Sequence, residues 1–292
     1  MKWLVTGSRG FLGRAITGYL QTAGLDIVPL EFQGERVDLL QKQAVKRCLE
    51  QSRPTAILHL AGRYGTDISP AEYERCHVEA TLNLLEVASP TLERWISVGS
   101  AAEYGLTSSP QRQDEAFPCQ PQSDYGRSKW NQTQAIQTFC KRNNIPWVVF
   151  RAFNIFGSQQ RRGLLIPDTL ARLRSMDSQA TSKIHVRHKE DVRDFVPIDT
   201  LCQMVLGLVQ NSEARGIYNA CSGQGTSVAT ITSWIADELG FSCSLEEHPE
   251  SADRPPTFSV GDPSRIKQLI GQPRAFDLEF EIRRLARQRE LR

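Results

Sequence analysis

Apolar positions along this chain recur with two periods, and the two alternate. A short apolar run at Met1–Thr6 (MKWLVT) predicts a strand, and Phe11, Leu12, Ala15, Ile16, Tyr19 and Leu20 follow at helical spacing, with Gly24 placed to close the helix. Asp26–Leu30 reads as a second strand, although Pro29 sits awkwardly inside it. A helix over Lys42–Gln51, a buried strand at Ala56–Leu60 (AILHL) and a helix over Ala71–Ala88, closed by Pro90, come next. Trp95–Gly99 predicts a strand with Ser100 just past its carboxyl end, Tyr125–Asn143 a helix, and Trp147–Arg151 (WVVFR) a further strand. Strands alternating with helices predict βαβ units and a parallel, doubly wound α/β sheet.

After Asn154 the rhythm breaks. A loop rich in Gly, Gln and Arg (Gly157–Gly163) leads to a helix from about Pro167, and Lys183–Arg187 reads as a polar strand. Gly216–Ala220 (GIYNA) is again a core strand. Thr226–Leu239 is a helix with Thr226 as candidate N-cap and Gly240 after it. Arg254-Pro255-Pro256 forms a turn before a short helix ending near Gly271. This half is too fragmentary for a second doubly wound sheet. The expected organisation is a Rossmann domain over residues 1–155 plus about 195–220. A smaller, discontinuous α/β substrate domain over about 156–194 and 221–292 completes a cleft.

At 292 residues, 40% apolar and 23% charged, the chain is composed like a soluble globular protein. A net charge of +2 makes no case for nucleic acid; solvated surface is the plainer reading of the basic cluster at Arg161-Arg162 and the favoured one for the Arg-rich tail. No apolar run approaches the roughly 20 residues of a membrane helix. The first strand begins within five residues of Met1, which leaves no room for a signal peptide. Seven cysteines without a C-x-x-C pair read as reduced thiols of a cytoplasmic protein. They share no ligand spacing with the histidines, and His185 and His188 read as a surface pair, so no metal is expected.

Two clusters carry chemistry. The segment Gly7-Ser8-Arg9-Gly10-Phe11-Leu12-Gly13 lies between a strand and an amphipathic helix. Gly7 permits a tight turn, Gly10 lets backbone approach a pyrophosphate, and Gly13 allows close helix–strand packing, with the helix amino end facing the phosphates. The spacing is G-x-x-G-x-x-G, and alone it is equally a structural turn. Glu31, 18 residues after Gly13, can bind the adenosine ribose and repel a 2′-phosphate, which favours NAD over NADP, although Arg36 nearby can offset it. Asp38 and Leu39 are placed to face adenine, and Leu60, Ala61 and Gly62 run beneath the cofactor. His59 reads as a hydrogen-bonded core histidine.

The second cluster is Ser100, Tyr125 and Lys129. Tyr125 and Lys129 are four apart at a helix start and share a face. A phenol titrates near ~10 alone, and an ammonium and an oxidised nicotinamide both favour its phenolate. Ser100, 25 residues upstream on the preceding strand, can bond the same substrate oxygen. Open α/β sheets place ligands at that edge. Together the clusters suggest hydride transfer on a nicotinamide cofactor.

At these residues the chain resembles an extended short-chain dehydrogenase/reductase of the NAD-dependent epimerase/dehydratase family, which acts on nucleotide sugars. The matching segments are TGSRGFLG from Thr6, HLAG from His59, SVGSAAEYG from Ser97, DYGRSK from Asp124, RAFNIFG from Arg151, VRDFVPID from Val192, GIYNACSG from Gly216 and the run from Arg254. The resemblance implies a Rossmann domain with a smaller nucleotide-sugar domain, and a homodimer through paired helices. Leu82, Leu85, Ala135 and Ile136 are interface candidates, with core as their plainer reading. It implies Tyr125 as acid/base, Lys129 on the nicotinamide ribose and depressing the Tyr pKa, and Ser100 orienting the hydroxyl or keto oxygen. It also implies Asn154, Arg193 and Arg254 on the substrate diphosphate, a role that guanidinium forks suit. Arg193 can equally pair with Asp191 or Asp194, and Asn154 can simply bond a loop backbone.

Departures narrow the reaction. The family's 4,6-dehydratases carry an Asp-Glu pair directly after the catalytic Ser/Thr; here those places are Ala101 and Ala102, which argues against dehydration. The family's usual Asn is replaced around His77, with consequences for packing on the cofactor side. The substrate-side segments look closest to GDP-4-keto-6-deoxymannose reductases and related 4-ketoreductases. The expectation is reduction of a nucleotide-linked 4-keto-6-deoxyhexose, with a 4-epimerase that retains NAD as the alternative. A non-catalytic NAD(P)-sensing protein is a third reading, and the intact triad speaks against it.

Overall fold

The computed structural model describes every residue except 33, 66, 177–181, 187, 248–254 and 289–292. The first half runs β1 (Lys2–Thr6), α1 (Phe11–Thr22), β2 (Asp26–Pro29), β3 (Glu31–Phe32), β4 (Glu35–Arg36), α2 (Lys42–Ser52), β5 (Ala56–His59), α3 (Pro70–Glu74), α4 (Ala80–Ala88), β6 (Arg94–Ser100), α5 (Asp124–Arg142) and β7 (Trp147–Ala152). The second half runs β8 (Asn154–Phe156), α6 (Leu165–Arg174), β9 (Ser182–Val186), β10 (Val192–Pro197), α7 (Ile198–Gln210), β11 (Gly216–Ala220), β12 (Gly225–Ser227), α8 (Val228–Glu238), β13 (Cys243–Glu247), β14 (Phe258–Ser259), α9 (Ser264–Ile270) and α10 (Leu278–Arg287).

Six strands form one all-parallel sheet in the order β11-β7-β6-β5-β1-β2. Successive residues of each strand feed opposite faces. Val5, Leu58, Ile96 and Val148 join one core with Ile16, Leu20, Leu201 and Val205. Leu4, Ile57, Trp95 and Val149 join the other with Val45, Leu84, Leu85 and Ile136. Both faces are covered, so the strands read as unbroken apolar runs. Pro29 is accommodated because β2 is the edge strand, where a missing N–H breaks no ladder on its outer side. Leu85 and Ile136 are fully buried core residues, not interface ones.

Three local expectations change. The predicted helix over 71–88 starts at Ser69, whose hydroxyl and Glu72 form a capping box, and it is interrupted by a π-helical turn at Arg75–Glu79. The extra residue of that wide turn turns His77 into the interior. Ser100 is the last residue of β6 rather than the first beyond it. Helix α8 is capped by Ser227, whose Oγ accepts from the Thr230 amide at 3.0 Å, while Thr226 belongs to β12.

The rest of the second half packs around β10. This strand pairs antiparallel with β12 and parallel with β14 and β8, so β8 belongs to the smaller sheet. Helices α6, α8 and α10 close a third core containing Ile166, Leu170, Ile231, Ile235 and Ile282, with Ile184 of the β9–β13 pair. No helix among the described residues is long and apolar enough to cross a membrane, and those residues hold no cluster of three metal-ligating side chains.

Candidate active site

The cleft lies at the carboxyl edge of the six-stranded sheet. At the end of β1, Gly7 has φ +69°, and a Cβ there would meet the Ala61 amide nitrogen at 2.7 Å. A Cβ at Gly13 would stand 1.9 Å from the Gly7 carbonyl oxygen, so both positions exclude a side chain. Gly10 is crowded only by that same oxygen, at 3.3 Å, and it forms the N-cap of α1 with no side-chain cap and no acidic residue in the first turn. The helix therefore presents free amides and its positive dipole end to the cleft, with Phe11 and Leu12 packed on the core below. Bare, electropositive backbone of this shape fits the diphosphate of a dinucleotide.

Glu31 stands on the rim, but its carboxylate is engaged: Arg9 Nε donates to it at 2.8 Å. The carboxylate expected to bind ribose is thus in direct contact with a cation, Arg9. Asp38 accepts from the Leu40 amide at 3.0 Å, and the Leu39 side chain packs in the core. Leu60 is also a core residue; Ala61 and Gly62 lie at the strand end, where the Thr6 hydroxyl accepts from the Leu60 and Ala61 amides at 3.2 and 3.1 Å. His59 is a core histidine held between Thr6 (2.8 Å) and Thr81 (2.9 Å), and burial lowers its pKa to about 3.

Ser100, Tyr125 and Lys129 meet at the end of β6. Ser123 caps α5, placing Tyr125 and Lys129 one turn apart on the face turned to the sheet. The Tyr125 ring lies edge-on to Tyr64 (5.0 Å between centroids), Tyr73 (5.8 Å) and His77 (5.7 Å). Desolvation pushes the phenol well above its ordinary pKa, a hydrogen bond with Ser100 opposes this, and the Glu103 charge adds to the rise. Lys129 is buried; its Nζ donates to the Val98 carbonyl at 2.7 Å and to the Gln132 side chain. Burial brings its pKa down to about 8, against an upward pull from Glu103. The hydrogen bond with Ser100 draws the Tyr125 pKa down, while the Lys129 ammonium, one turn along α5, donates to Val98 and Gln132.

Several residues of this corner escape sequence reasoning. Glu103, Arg151, Tyr64 and Tyr73 come from different elements, and no spacing connects them. His77 was visible only as a departure from the family pattern. Its Nδ1 bonds Ser128 Oγ at 2.8 Å, Ser128 Oγ donates to the Tyr125 carbonyl at 2.9 Å, and burial lowers the imidazole pKa to about 3. A neutral His77 thus buttresses the backbone of the tyrosine turn.

On the substrate side, Arg193 donates to Asp191 at 3.2 Å and to the Thr257 carbonyl and hydroxyl at 2.8 and 2.9 Å. Its fork is engaged within the protein, including the ion pair with Asp191. Asn154 donates to the Asp194 carbonyl at 2.9 Å, a backbone bond. Arg254 lies outside the described residues.

Comparison with known proteins matches the description "NAD dependent epimerase/dehydratase family" to residues 3–221. The chain is similar to the GDP-6-deoxy-D-mannose reductase of Pseudomonas aeruginosa, at 26% identity over 280 residues, which covers 91% of this chain and 90% of that one. Among solved structures, the UDP-glucose 4-epimerase of Thermus thermophilus in complex with NAD superposes with a TM-score of 0.84 at 22% identity, over 98% of both chains. RMD from Pseudomonas aeruginosa, complexed with NADPH, gives the same TM-score of 0.84, identity of 22% and coverage of 98% of each chain. The structural likeness establishes the fold.

Proposed function

The chain belongs to the NAD dependent epimerase/dehydratase family, and within it we propose that it reduces a nucleotide-linked 4-keto-6-deoxyhexose at C4. The observation that carries this reading is the similarity, over 91% of the chain, to a reductase of a GDP-6-deoxy sugar. Tyr125, hydrogen-bonded with Ser100 at the end of β6, is the group placed to act as proton donor. Bound NADH or NADPH supplies the hydride. Tyr125 gives its proton to the C4 oxygen, Ser100 orients that oxygen, and the Lys129 ammonium stabilises the phenolate left behind until solvent reprotonates it. Ala101 and Ala102, beside Ser100, offer no acid to a leaving hydroxyl, which sets dehydration aside. The similarity to a reductase of a GDP-6-deoxy sugar supports the substrate class.

A 4-epimerase with retained NAD is the second reading, and the observation on its side is Glu31, a carboxylate at the ribose edge. We read the protein as a cytoplasmic homodimer. Support comes from the six cysteines described, all unpaired, and from a surface groove lined by Val78 of the π turn with Leu82 and Asn83 of α4. The test is incubation with a panel of nucleotide-linked 4-keto-6-deoxy sugars and NADH or NADPH, followed by nicotinamide absorbance. Stoichiometric loss of reduced cofactor with one sugar is expected, and it also fixes the cofactor and the nucleotide. Interconversion of ordinary UDP- or GDP-hexoses without added cofactor would replace this reading with the epimerase.

A further inference from the structure

Glu103 is fully buried at the turn beneath Ser100, and its two oxygens reach three elements. Oε1 accepts from the Ser100 amide at 2.8 Å, at the end of β6. Oε2 accepts from Arg151 Nε of β7 at 2.9 Å and from Thr133 Oγ1 of α5 at 3.0 Å. Thr133 lies one turn beyond Lys129 and two beyond Tyr125 on the same helix. Gly99 makes room for the carboxylate, since a Cβ there would stand 2.7 Å from Oε1. Arg151 is itself held over the Tyr104 ring at 4.3 Å, and the Tyr104 hydroxyl donates to Asn219 of β11 at 2.7 Å. One side chain therefore fixes the strand end that carries Ser100 against the helix that carries Tyr125 and Lys129.

A buried ion pair is seldom the most stable filling for a core, since each charge must first leave water. An apolar residue would occupy this turn, but it would span none of the three elements. We propose that Glu103 is a positioning residue, which as the buried anion between Arg151, Thr133 and the Ser100 amide locks Ser100 against Tyr125. The clamp's effect on keto-sugar reduction rests on the reductase reading; the clamp itself does not.

The groups that face Tyr125 are Ser100 on β6, Glu103 on the turn after it, Tyr64 on the loop after β5, Tyr73 on α3, His77 on the π turn and Lys129 on its own helix. Of these, Glu103 is the anion. It lifts Tyr125 alongside the larger effect of burial, and it opposes the burial that pulls Lys129 down. Both effects keep the phenol protonated and the ammonium charged.

The test uses Glu103→Gln, Glu103→Asp and the double variant Glu103→Gln/Arg151→Gln, which removes both charges so that no guanidinium is left buried alone. One readout needs no substrate: the tyrosinate absorbance of each protein with saturating NAD⁺, taken as the difference from its Tyr125→Phe counterpart. The phenolate is expected about one pH unit lower in Glu103→Gln and in the double variant, and unmoved in Glu103→Asp, which keeps the charge. The second readout is reduction of the keto sugar. Glu103→Gln and Glu103→Asp, which has too short a reach to span all three partners, are expected to lose about a hundredfold in kcat, with KM within about threefold. A folded double variant that titrates like wild type overturns the electrostatic half. Wild-type kcat in Glu103→Asp overturns the clamp, whether or not the Gln variants fold. A wild-type protein inactive on every keto sugar sinks the reductase reading instead, and the titration still decides the role of Glu103.

Discussion

At the end of β1 the cleft surface is bare backbone, with Gly7, Gly10, Gly13 and the uncapped amides of α1. At the end of β6 it is all side chain: Ser100 and Tyr125 beside Lys129, held from behind by Glu103, Arg151, Thr133 and Gln132. The first region works because no side chain fits there, and the second because interlocking ones do. A site made of absences tolerates no added atom. A site made of partners loses function in steps, according to which partner is removed. The two regions should therefore fail differently, and mutation can separate them.

The sharpest contrast comes from adding one methyl group. Gly13→Ala places Cβ 1.9 Å from the Gly7 carbonyl oxygen, and Gly7 itself has no room for a Cβ against the Ala61 backbone. Both contacts are with main chain, so no rotamer relieves them. The expected cost lies at the top of the overpacking range, about 3 kcal/mol, and corresponds to a melting temperature lower by about 10 °C. Cofactor binding should vanish with it. Calorimetry and titration of nicotinamide fluorescence check this; a variant that melts and binds like wild type would show that the turn is not rigid.

Removing one atom at the other region should leave the fold and the first site alone. Tyr125→Phe keeps the ring against Tyr64, Tyr73 and His77 and deletes only the proton donor. Turnover is expected to fall by about 10² to 10⁴, the usual worth of a positioned general acid, with cofactor affinity unchanged. Retention of near-wild-type rates would place the proton donor elsewhere.

The same contrast explains what the sequence made legible. The glycine turn lies within seven residues, and every constraint on it is local, so spacing alone displays it. The parallel sheet was visible because strands buried on both faces stand out as apolar runs. Tyr125 and Lys129 were legible through helical periodicity, and Ser100 through its place at a strand end. Glu103 was not, because its partners Thr133 and Arg151 are 30 and 48 residues away and each is an ordinary residue in its own element. Of the partners of Arg193, Asp191 was legible because it lies two residues away, whereas Thr257, 64 residues on, was not. The π turn at Arg75–Glu79 has no periodic signature, because the apolar positions on either side stay in helical register closely enough to read as one helix. Helix α7 went unread, though its buried Leu201, Met204, Val205 and Leu208 recur at helical spacing.

The smallest effect is the most telling about the second region, because its sign opposes that of ordinary damage. Lys129 titrates at about 8 in the folded protein, against 10.5 for an ordinary lysine. Between those values the unfolded chain holds more protons than the native one, so stability rises with pH across that window. Below pH 8 the full cost of keeping the ammonium buried is carried by the fold, at most about 3 kcal/mol from a shift of this size. Lys129→Met removes that cost, while leaving the Val98 carbonyl and the Gln132 side chain without their donor, a loss of about 1–2 kcal/mol. The balance is a gain of about 1 kcal/mol at pH 7, or a melting temperature higher by about 2–4 °C, in a protein that has lost its turnover. The advantage should shrink as pH climbs from 8 toward 10.5, where the native lysine becomes neutral as well. Thermal unfolding at pH 7 and pH 10 measures both points. A variant less stable than wild type at pH 7 would mean that the ammonium supports the fold through its hydrogen bonds, and that the catalytic corner, like the glycine turn, stores no strain for its chemistry.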